Sequence, residues 1–203
     1  SEFVRQTPDC VVNARGDYKV KTYDILYLIS TVTNYNVKTD PFIDIDTNLT
    51  TLMKVLEQCR DSHLTFNFIS SWFVYGDTEM PAKEDSYCNP NGFYSITKRC
   101  AEQLVISYCQ TFNIKYRILR LANVVGQGDK KASPQKNALQ YMINELKEGR
   151  DVNVYDNGNM YRDYIHVNDV ADAISLILEK GELNTIYNVG NGKPILFKNM
   201  IEY

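Results

Sequence analysis

The chain has 203 residues, a formal net charge of −3 and 44% hydrophobic residues. That length can bury one sizeable core, or one domain and part of another. The charge argues against a general nucleic-acid or membrane-surface function, and no apolar run reaches the roughly 18 residues of a spanning helix. Five cysteines without Cys-x-x-Cys spacing and two histidines leave little material for a metal site, so we expect no metal. Buried thiols indicate a reducing cytoplasm.

Apolar runs alternate with helical patterns along the chain, which is typical of an α/β protein with a parallel sheet covered by helices. The pattern predicts strands at 10–14, 23–30, 64–70, 115–122, 152–155 and 185–189. It predicts helices at 40–60, 91–113, 134–149, 167–180 and from about 197. The polar, glycine-bearing residues 126–133 predict a mobile loop.

Tyr94 and Lys98 lie four residues apart in a helical pattern, so both side chains lie on one helix face. A nearby ammonium lowers the pKa of a phenol, which would make Tyr94 an acid/base near neutral pH. Ser71 ends a buried strand and could bond the oxygen that Tyr94 protonates. Together they suggest a site that moves a hydride to or from an alcohol carbon. The alternative for Tyr94 and Lys98 is a pair of surface residues on an amphipathic helix. The alternative for Ser71 is a hydroxyl that caps backbone groups at the strand end, in which case Ser70 is the second candidate for the catalytic serine.

Several motifs follow one another in a fixed order. They are Ile25-Leu26-Tyr27-Leu28-Ile29, Asp40-Pro41 opening a helix with Asn48, Ser70-Ser71, Val74-Tyr75-Gly76-Asp77, Tyr94/Lys98, Leu119-Arg120-Leu121-Ala122-Asn123-Val124-Val125-Gly126 and Tyr161-Arg-Asp-Tyr-Ile-His-Val-Asn-Asp-Val-Ala171. In this order the chain resembles the extended short-chain dehydrogenase/reductases, in particular the nucleotide-sugar epimerase/dehydratase family, over roughly residues 9–202. The resemblance implies a Rossmann-like doubly wound parallel sheet.

The resemblance also implies a nicotinamide cofactor, NAD, with NADP as the alternative. Its catalytic residues would be Ser71, Tyr94 and Lys98. Its cofactor-binding residues would be Asp17, Tyr18, Leu28, Ile29, Ser30, Asn48, Ser70, Tyr94, Lys98 and Leu121. Gly16-Asp17 is also a common turn, and simple helix packing is an equal alternative for Asn48.

For a nucleotide-diphosphate sugar, the resemblance implies contacts from Ser71, Asn123, Tyr155 and Arg162. Arginine suits a phosphate because it is always charged and binds with two parallel hydrogen bonds. A salt bridge to Asp163 or Asp169 is the alternative for Arg162. Packing in the core is the alternative for Tyr155, where the family stacks a ring on the nucleobase.

The glycine-rich turn that holds the cofactor pyrophosphate in this family has no counterpart in the sequence. We therefore expect a chain truncated at both ends, which is itself inactive. The predicted division is a partial dinucleotide-binding domain at 1–123 and a partial substrate-binding region at 124–203. Residues 161–180 of that region would pack back on the Rossmann sheet.

Trp72 and Phe73 stand where sugar 4,6-dehydratases of this family carry Asp-Glu. Aromatic rings cannot transfer protons, which disfavours dehydration and indicates an NAD-dependent nucleotide-sugar epimerase, most simply at C4 through a 4-keto intermediate. The alternatives are a nucleotide-sugar 4-ketoreductase and a non-catalytic nucleotide-sugar-binding fragment. The family also implies a homodimer formed through helices 40–60 and 91–113, and a cytoplasmic enzyme without nucleic-acid or membrane partners.

Overall fold

The computed structural model describes residues 2–13, 16–20, 24–127 and 138–201. The strands are β1 Ile25–Tyr27, β2 Thr65–Ser71, β3 Lys115–Leu121, β4 Asn123–Val125, β5 Tyr161–Arg162, β6 Tyr164–His166, β7 Thr185–Val189 and β8 Ile195–Leu196. The helices are α1 Glu2–Gln6, α2 Ile43–Ile45, α3 Thr51–Gln58, α4 Phe93–Thr111, α5 Ala138–Lys147, α6 Val167–Lys180 and α7 Phe197–Ile201. A π-helical turn, Asp46–Thr50, joins α2 to α3. Among the described helices none is long and apolar enough to cross a membrane.

The central sheet has four parallel strands in the order β1-β2-β3-β7. In its register Ser71 lies opposite Leu121, and Leu121 lies opposite Val189. Because the strands are parallel, their carboxyl ends meet at one edge, where open α/β sheets bind ligands. The predicted Rossmann-like parallel sheet is confirmed, and Ser71 lies at the carboxyl edge.

Alternating side chains of β3 build a core on each face of the sheet. Tyr116 and Ile118 pack on one face with residues of α3 and α4, and Phe66 and Phe68 of β2 join them. Burial of one such aromatic or aliphatic side chain contributes about 1.5–3 kcal/mol. Arg120, the next residue on the same face of β3, meets α4 with a charge instead.

The second core lies on the opposite face of the sheet, under α6. Val170, Ala171 and Ile174 of α6 pack with Leu119 of β3 and Val189 of β7. A buried arginine on this face also fixes the end of the helix, because Nε and Nη2 of Arg117 donate to the carbonyl of Gly181. The proposed division of the chain at residues 123 and 124 stays a prediction.

Two predicted strands are wrong. Residues 10–13 form no strand, and the segment around 152–155 leads into a 3₁₀ turn at Tyr155–Gly158. Asp156 and Asn157 have φ of 48° and 47° there, a left-handed conformation that ends an extended strand. Four short strands of two or three residues were missed, since hydrophobic alternation needs at least about four residues to be visible. The predicted loop at 126–133 lies outside the described residues from 128 onward.

Candidate active site

The end of β2 presents Ser71 at the carboxyl edge. Its backbone is extended, and its hydroxyl accepts a hydrogen bond from the Phe73 amide at 3.4 Å, which caps the 3₁₀ turn Trp72–Val74. The Ser71 side chain also lies near Tyr94 and lowers the pKa of its hydroxyl. Ser71 therefore fulfils the capping alternative and also lies where the catalytic hypothesis requires it.

A remote side chain fixes the start of α4, the helix that carries Tyr94. Gly92 precedes the helix with φ of 93°, and a Cβ there would lie 2.5 Å from the side chain of Asn34. Asn34 Oδ1 accepts bonds from the Ser95 amide at 3.1 Å and the Ser95 hydroxyl at 3.2 Å, so it satisfies one of the free amides of the first turn. The loop after β1 thereby sets the position of Tyr94.

The side chain of Tyr94 is buried, with a relative exposure of 7%. Burial raises the pKa of Tyr94, whereas hydrogen bonds with Ser71 and Ser30 lower it and the charge of Asp44 raises it further. The prediction that Lys98 lowers this pKa is wrong, because the net shift is upward and Lys98 is not among its causes. Desolvation of the phenolate outweighs the favourable contacts.

Lys98 lies one helical turn from Tyr94 but points at the strand. Its Nζ donates to the Ile69 carbonyl at 2.6 Å and lies 4.2 Å from the centroid of the Phe68 ring. The residue is 1% exposed, and burial lowers its pKa to about 7, with the Glu102 carboxylate opposing that shift. The Lys98 amine therefore links α4 to β2 near the end of that strand. It can also change protonation near neutral pH.

Replacing Lys98 with methionine is expected to change how stability depends on pH. The native pKa of Lys98, about 7, lies below its ordinary value of 10.5, so between these values the unfolded chain binds the extra proton. The free energy of unfolding of the wild type should therefore rise relative to Lys98→Met as pH increases from about 7 to about 10.5. Urea unfolding of both chains at pH 6, 8 and 9.5 measures this difference. A difference that is constant or falls with pH would contradict the buried position of Lys98.

Asp44 is a buried carboxylate near the site that the sequence analysis missed. It is 0% exposed; Oδ1 accepts from the Thr31 hydroxyl and from the Asn36 amide at 3.2 Å, while Oδ2 has no hydrogen-bond partner among the described residues. A sequence signal existed, because Asp44 precedes Asn48 by four residues and so shares its helix face. The charge of Asp44 is one reason why the pKa of Tyr94 is raised.

Asn48 connects three elements around the site. Its Oδ1 accepts from the Thr31 amide at 2.9 Å, and its Nδ2 donates to the hydroxyls of Thr31 and Thr97, each at 2.9 Å. This buried amide orders the backbone directly after Ser30 and joins it to α4. That arrangement goes beyond simple helix packing, and a contribution of Asn48 to cofactor binding stays a prediction.

Several predicted cofactor residues line one cavity of about 640 Å³ between β1 and the segments 3–13 and 17–20. These are Asp17, Tyr18, Leu28 and Ile29. The cavity runs along β1, and a contribution of these residues to cofactor binding stays a prediction. Leu121 ends β3 at the same carboxyl edge. The hydroxyl of Ser70, by contrast, donates to Glu102 at 2.6 Å, so it is engaged inside the protein and is a poor substitute for Ser71.

The predicted substrate residues lie in three different settings. Arg162 forms no salt bridge to Asp163 or Asp169, and its Nη1 donates to the Tyr161 carbonyl at 2.9 Å. Asn123 is used to hold the chain, because its Nδ2 donates to the Asp163 carbonyl at 3.0 Å. Tyr155 is 83% exposed, so the alternative that it packs in the core is wrong.

Aromatic rings form one wall beside Tyr94. The centroids of the Trp72 and Phe73 rings lie 4.6 Å apart, and the Phe73 ring meets the Tyr94 ring edge to face at 5.9 Å. On the outer side, the guanidinium carbon of Arg162 lies 5.5 Å from the centroid of the Trp72 ring. Positions 72 and 73 thus contribute apolar surface and no proton-transferring group.

The parallel sheet, with Ser71 at the end of β2 and Tyr94 and Lys98 on the adjoining α4, fits the family that the sequence resembles. The model of the NAD dependent epimerase/dehydratase family matches residues 9–190 of this chain. The chain belongs to that family.

Similar proteins carry out more than one chemistry. The chain is 30% identical to the dTDP-D-glucose 4,6-dehydratase of Dictyostelium discoideum, with 81% of the chain and 34% of that protein covered. It is 29% identical to the GDP-6-deoxy-D-mannose reductase of Pseudomonas aeruginosa, with 80% and 56% covered. The UDP-N-acetylglucosamine 4-epimerase of Methanobrevibacter ruminantium M1, solved with UDP-N-acetylmuramic acid, superposes with a TM-score of 0.82 at 26% identity, with 90% and 59% covered. The chain thus spans between a third and three fifths of these proteins.

Proposed function

We propose that the complete protein containing this chain is an NAD-dependent nucleotide-sugar epimerase that inverts C4 through a 4-keto intermediate. The observation that carries this proposal is the position of Ser71 at the carboxyl edge of the sheet, near enough to Tyr94 to lower the pKa of its hydroxyl. Two adjoining hydroxyls of this kind can hold one substrate oxygen as an alcohol or as a ketone. The family match and the epimerase-like fold support the same assignment.

In its phenolate form, Tyr94 would accept the proton of the sugar C4 hydroxyl in the forward half-reaction and return it in the second half. Ser71 donates a hydrogen bond to the same sugar oxygen and so stabilises the charge that develops there. A bound nicotinamide would supply hydride transfer at C4 of the sugar. Asp17, Tyr18, Leu28 and Ile29 would hold the dinucleotide through the cavity they line, with Ser30, Asn48 and Leu121 ordering the backbone at its edge.

The rings at positions 72 and 73 favour epimerisation over dehydration. Elimination of water needs an acid and a base near the sugar beyond the tyrosine, and Trp72 and Phe73 supply neither. Phe73 instead packs against the Tyr94 ring at 5.9 Å. This is why epimerisation is favoured over the activity of the 4,6-dehydratase relative.

Arg162 and Tyr155 would bind the nucleotide part of the substrate. Arg162 is a cation beside the aromatic wall, and among the described residues its side chain donates to the Tyr161 carbonyl alone, so it is available for a diphosphate. Tyr155 offers an exposed ring for stacking on a nucleobase. Homodimer formation and a cytoplasmic location stay predictions.

Product analysis on the complete protein tests the proposal. The purified protein is expected to carry NAD, identified by mass spectrometry, and to invert one sugar from a panel of UDP-, dTDP-, GDP- and CDP-sugars followed by proton NMR. No net cofactor oxidation or reduction should accompany turnover. Stoichiometric consumption of NADPH with a 4-keto sugar would identify the 4-ketoreductase alternative, and formation of a 4-keto-6-deoxy product would contradict both.

A further inference from the structure

Trp72 lies between Arg162 and the proton-transferring tyrosine, and nothing in the proposed reaction uses its ring. We propose that Trp72 is a positioning residue that holds the Arg162 guanidinium over its indole face, ready for the diphosphate of the substrate. This inference rests on the proposed function, because it concerns the same substrate. Its physical basis is the attraction between a cation and the electron-rich face of an aromatic ring, which is strongest for tryptophan.

The Arg162 guanidinium packs against the indole ring of Trp72. The guanidinium carbon lies 5.5 Å from the Trp72 ring centroid, within the range of about 6 Å for a cation–π contact. The one hydrogen bond that the described residues show for its side chain is from Nη1 to the carbonyl of the neighbouring Tyr161. A long arginine side chain that is held so loosely by hydrogen bonds would lose much rotamer freedom on binding a phosphate. Contact with Trp72 reduces that cost by restricting the side chain beforehand.

The side chain at position 72 determines whether the positive charge of Arg162 stays available for a phosphate. A carboxylate there would form an ion pair with Arg162 and compete with a diphosphate for the same donors. An indole attracts the guanidinium without neutralising it, and leaves its outward N–H groups for phosphate oxygens. Trp72 therefore orients Arg162 while it keeps the positive charge available.

The same ring pair also connects the two ends of the substrate site. Trp72 packs on Phe73 at 4.6 Å between centroids, and Phe73 packs on Tyr94 at 5.9 Å. Ser71, immediately before them, is fixed by the sheet register. A displacement of Trp72 would therefore move the phosphate-binding cation relative to Tyr94, whereas Ser71 would stay in place at the end of β2.

The test compares three replacements of Trp72 in the complete protein: Trp72→Phe, which keeps a ring face, Trp72→Leu, which keeps apolar bulk, and Trp72→Ala. Calorimetry with UDP, dTDP, GDP and CDP identifies the diphosphate that the wild type binds. Trp72→Leu and Trp72→Ala are expected to weaken its binding by about 2- to 30-fold, and Trp72→Phe by less than either. Binding of the corresponding nucleoside, which lacks phosphate, should change little. In turnover, KM for the nucleotide sugar should rise more than kcat falls.

A double-mutant cycle separates the positioning effect from general damage to the fold. In an Arg162→Met background, Trp72→Leu should weaken diphosphate binding no further, because the cation that it positions is gone. Equal losses in both backgrounds, or equal binding by Trp72→Leu and wild type, would overturn the inference. If the wild type binds none of the four diphosphates, both the inference and the proposed function fail. If the wild type binds a diphosphate and Trp72→Leu binds it with the same affinity, the inference fails and the proposed function stands.

A matched pair elsewhere provides the control. The guanidinium carbon of Arg60 lies 4.2 Å from the Phe112 ring centroid, at the opposite end of α4 from Tyr94. Phe112→Leu removes that ring and should leave diphosphate affinity within the error of the wild-type value. A comparable loss of affinity in Phe112→Leu would show that the Trp72 effect reports general loosening, and would also overturn the inference.

Discussion

Replacing Tyr94 with phenylalanine in the complete protein is expected to lower turnover by about 10²- to 10⁴-fold, the usual contribution of a positioned acid/base. The substitution removes one oxygen, whose pKa the neighbouring Ser71 and Ser30 lower. It keeps the ring and its edge contact with Phe73. The loss should therefore appear in kcat for the sugar product measured by NMR, with a small change in KM, because Tyr94 acts on the reacting hydroxyl rather than on the nucleotide.

Tyr108→Phe is the matched control for this experiment. Tyr108 is a buried tyrosine on the same helix, and its hydroxyl donates to Glu57 at 2.8 Å, away from the carboxyl edge of the sheet. Its loss should leave kcat close to the wild-type value. If Tyr94→Phe retained wild-type turnover while its circular dichroism spectrum was unchanged, Tyr94 could not be the proton carrier, and the mechanism built on it would be wrong.

Long periodic segments of this fold were predictable, and short or tightly turned ones were not. The predicted helix at 167–180 coincides with α6, and the predicted helix at 91–113 contains α4. Each buries a stripe of apolar residues that recurs over several turns, so one or two unusual residues do not hide the pattern. At 152–155 the apolar alternation is real, but Asp156 and Asn157 take left-handed conformations and end it. Whether a strand forms at 152–155 therefore depends on the local turn and not on hydrophobicity.

In the site, local spacing predicted which side chains share a helix face but not which atoms they contact. Tyr94 and Lys98 are on one face, yet Lys98 Nζ binds the Ile69 carbonyl of a strand 29 residues away in sequence. Burial then lowers the pKa of Lys98 and raises that of Tyr94, which reverses the predicted direction for the tyrosine. Desolvation depends on how every neighbouring element packs, so spacing within one helix could not reveal it.

The buried ion pair between Glu102 and Arg120 is the other feature that required the tertiary structure. Arg120 Nε and Nη2 donate to the two oxygens of Glu102 at 3.0 and 2.9 Å, and Arg120 Nη1 donates to the Glu84 carbonyl at 3.1 Å. Ser70 donates to the same carboxylate at 2.6 Å. The pair thus joins β3, α4 and the penultimate residue of β2, next to Ser71. Both charged side chains are almost completely buried, with relative exposures of 1% and 0%.

Breaking this pair is expected to be the most destabilising single polar substitution in the chain. Glu102→Gln should lower the free energy of unfolding by about 3–5 kcal/mol, because it leaves the Arg120 guanidinium buried without a counter-charge. Arg120→Met should cost less, since the Arg99 guanidinium still contacts the Glu102 carboxylate at 2.8 Å. Urea unfolding of the full chain measures both, as a lower midpoint at unchanged m-value.

The double substitution Glu102→Leu/Arg120→Met distinguishes a charge effect from a packing effect. Replacement of both partners by apolar side chains of similar volume removes two desolvated charges at once, so the double variant should be more stable than either single one.

Arg150→Met supplies the surface control. Arg150 meets two carboxylates, Glu145 and Glu148, but its side chain is 51% exposed, so its removal should have a far smaller effect. If the double variant lost the sum of the two single effects, the pair would stabilise the fold by its contacts and not by neutralising buried charge. The hydroxyl of Ser70 would then be the feature that fixes the end of β2, and Ser70→Ala should reproduce part of the loss.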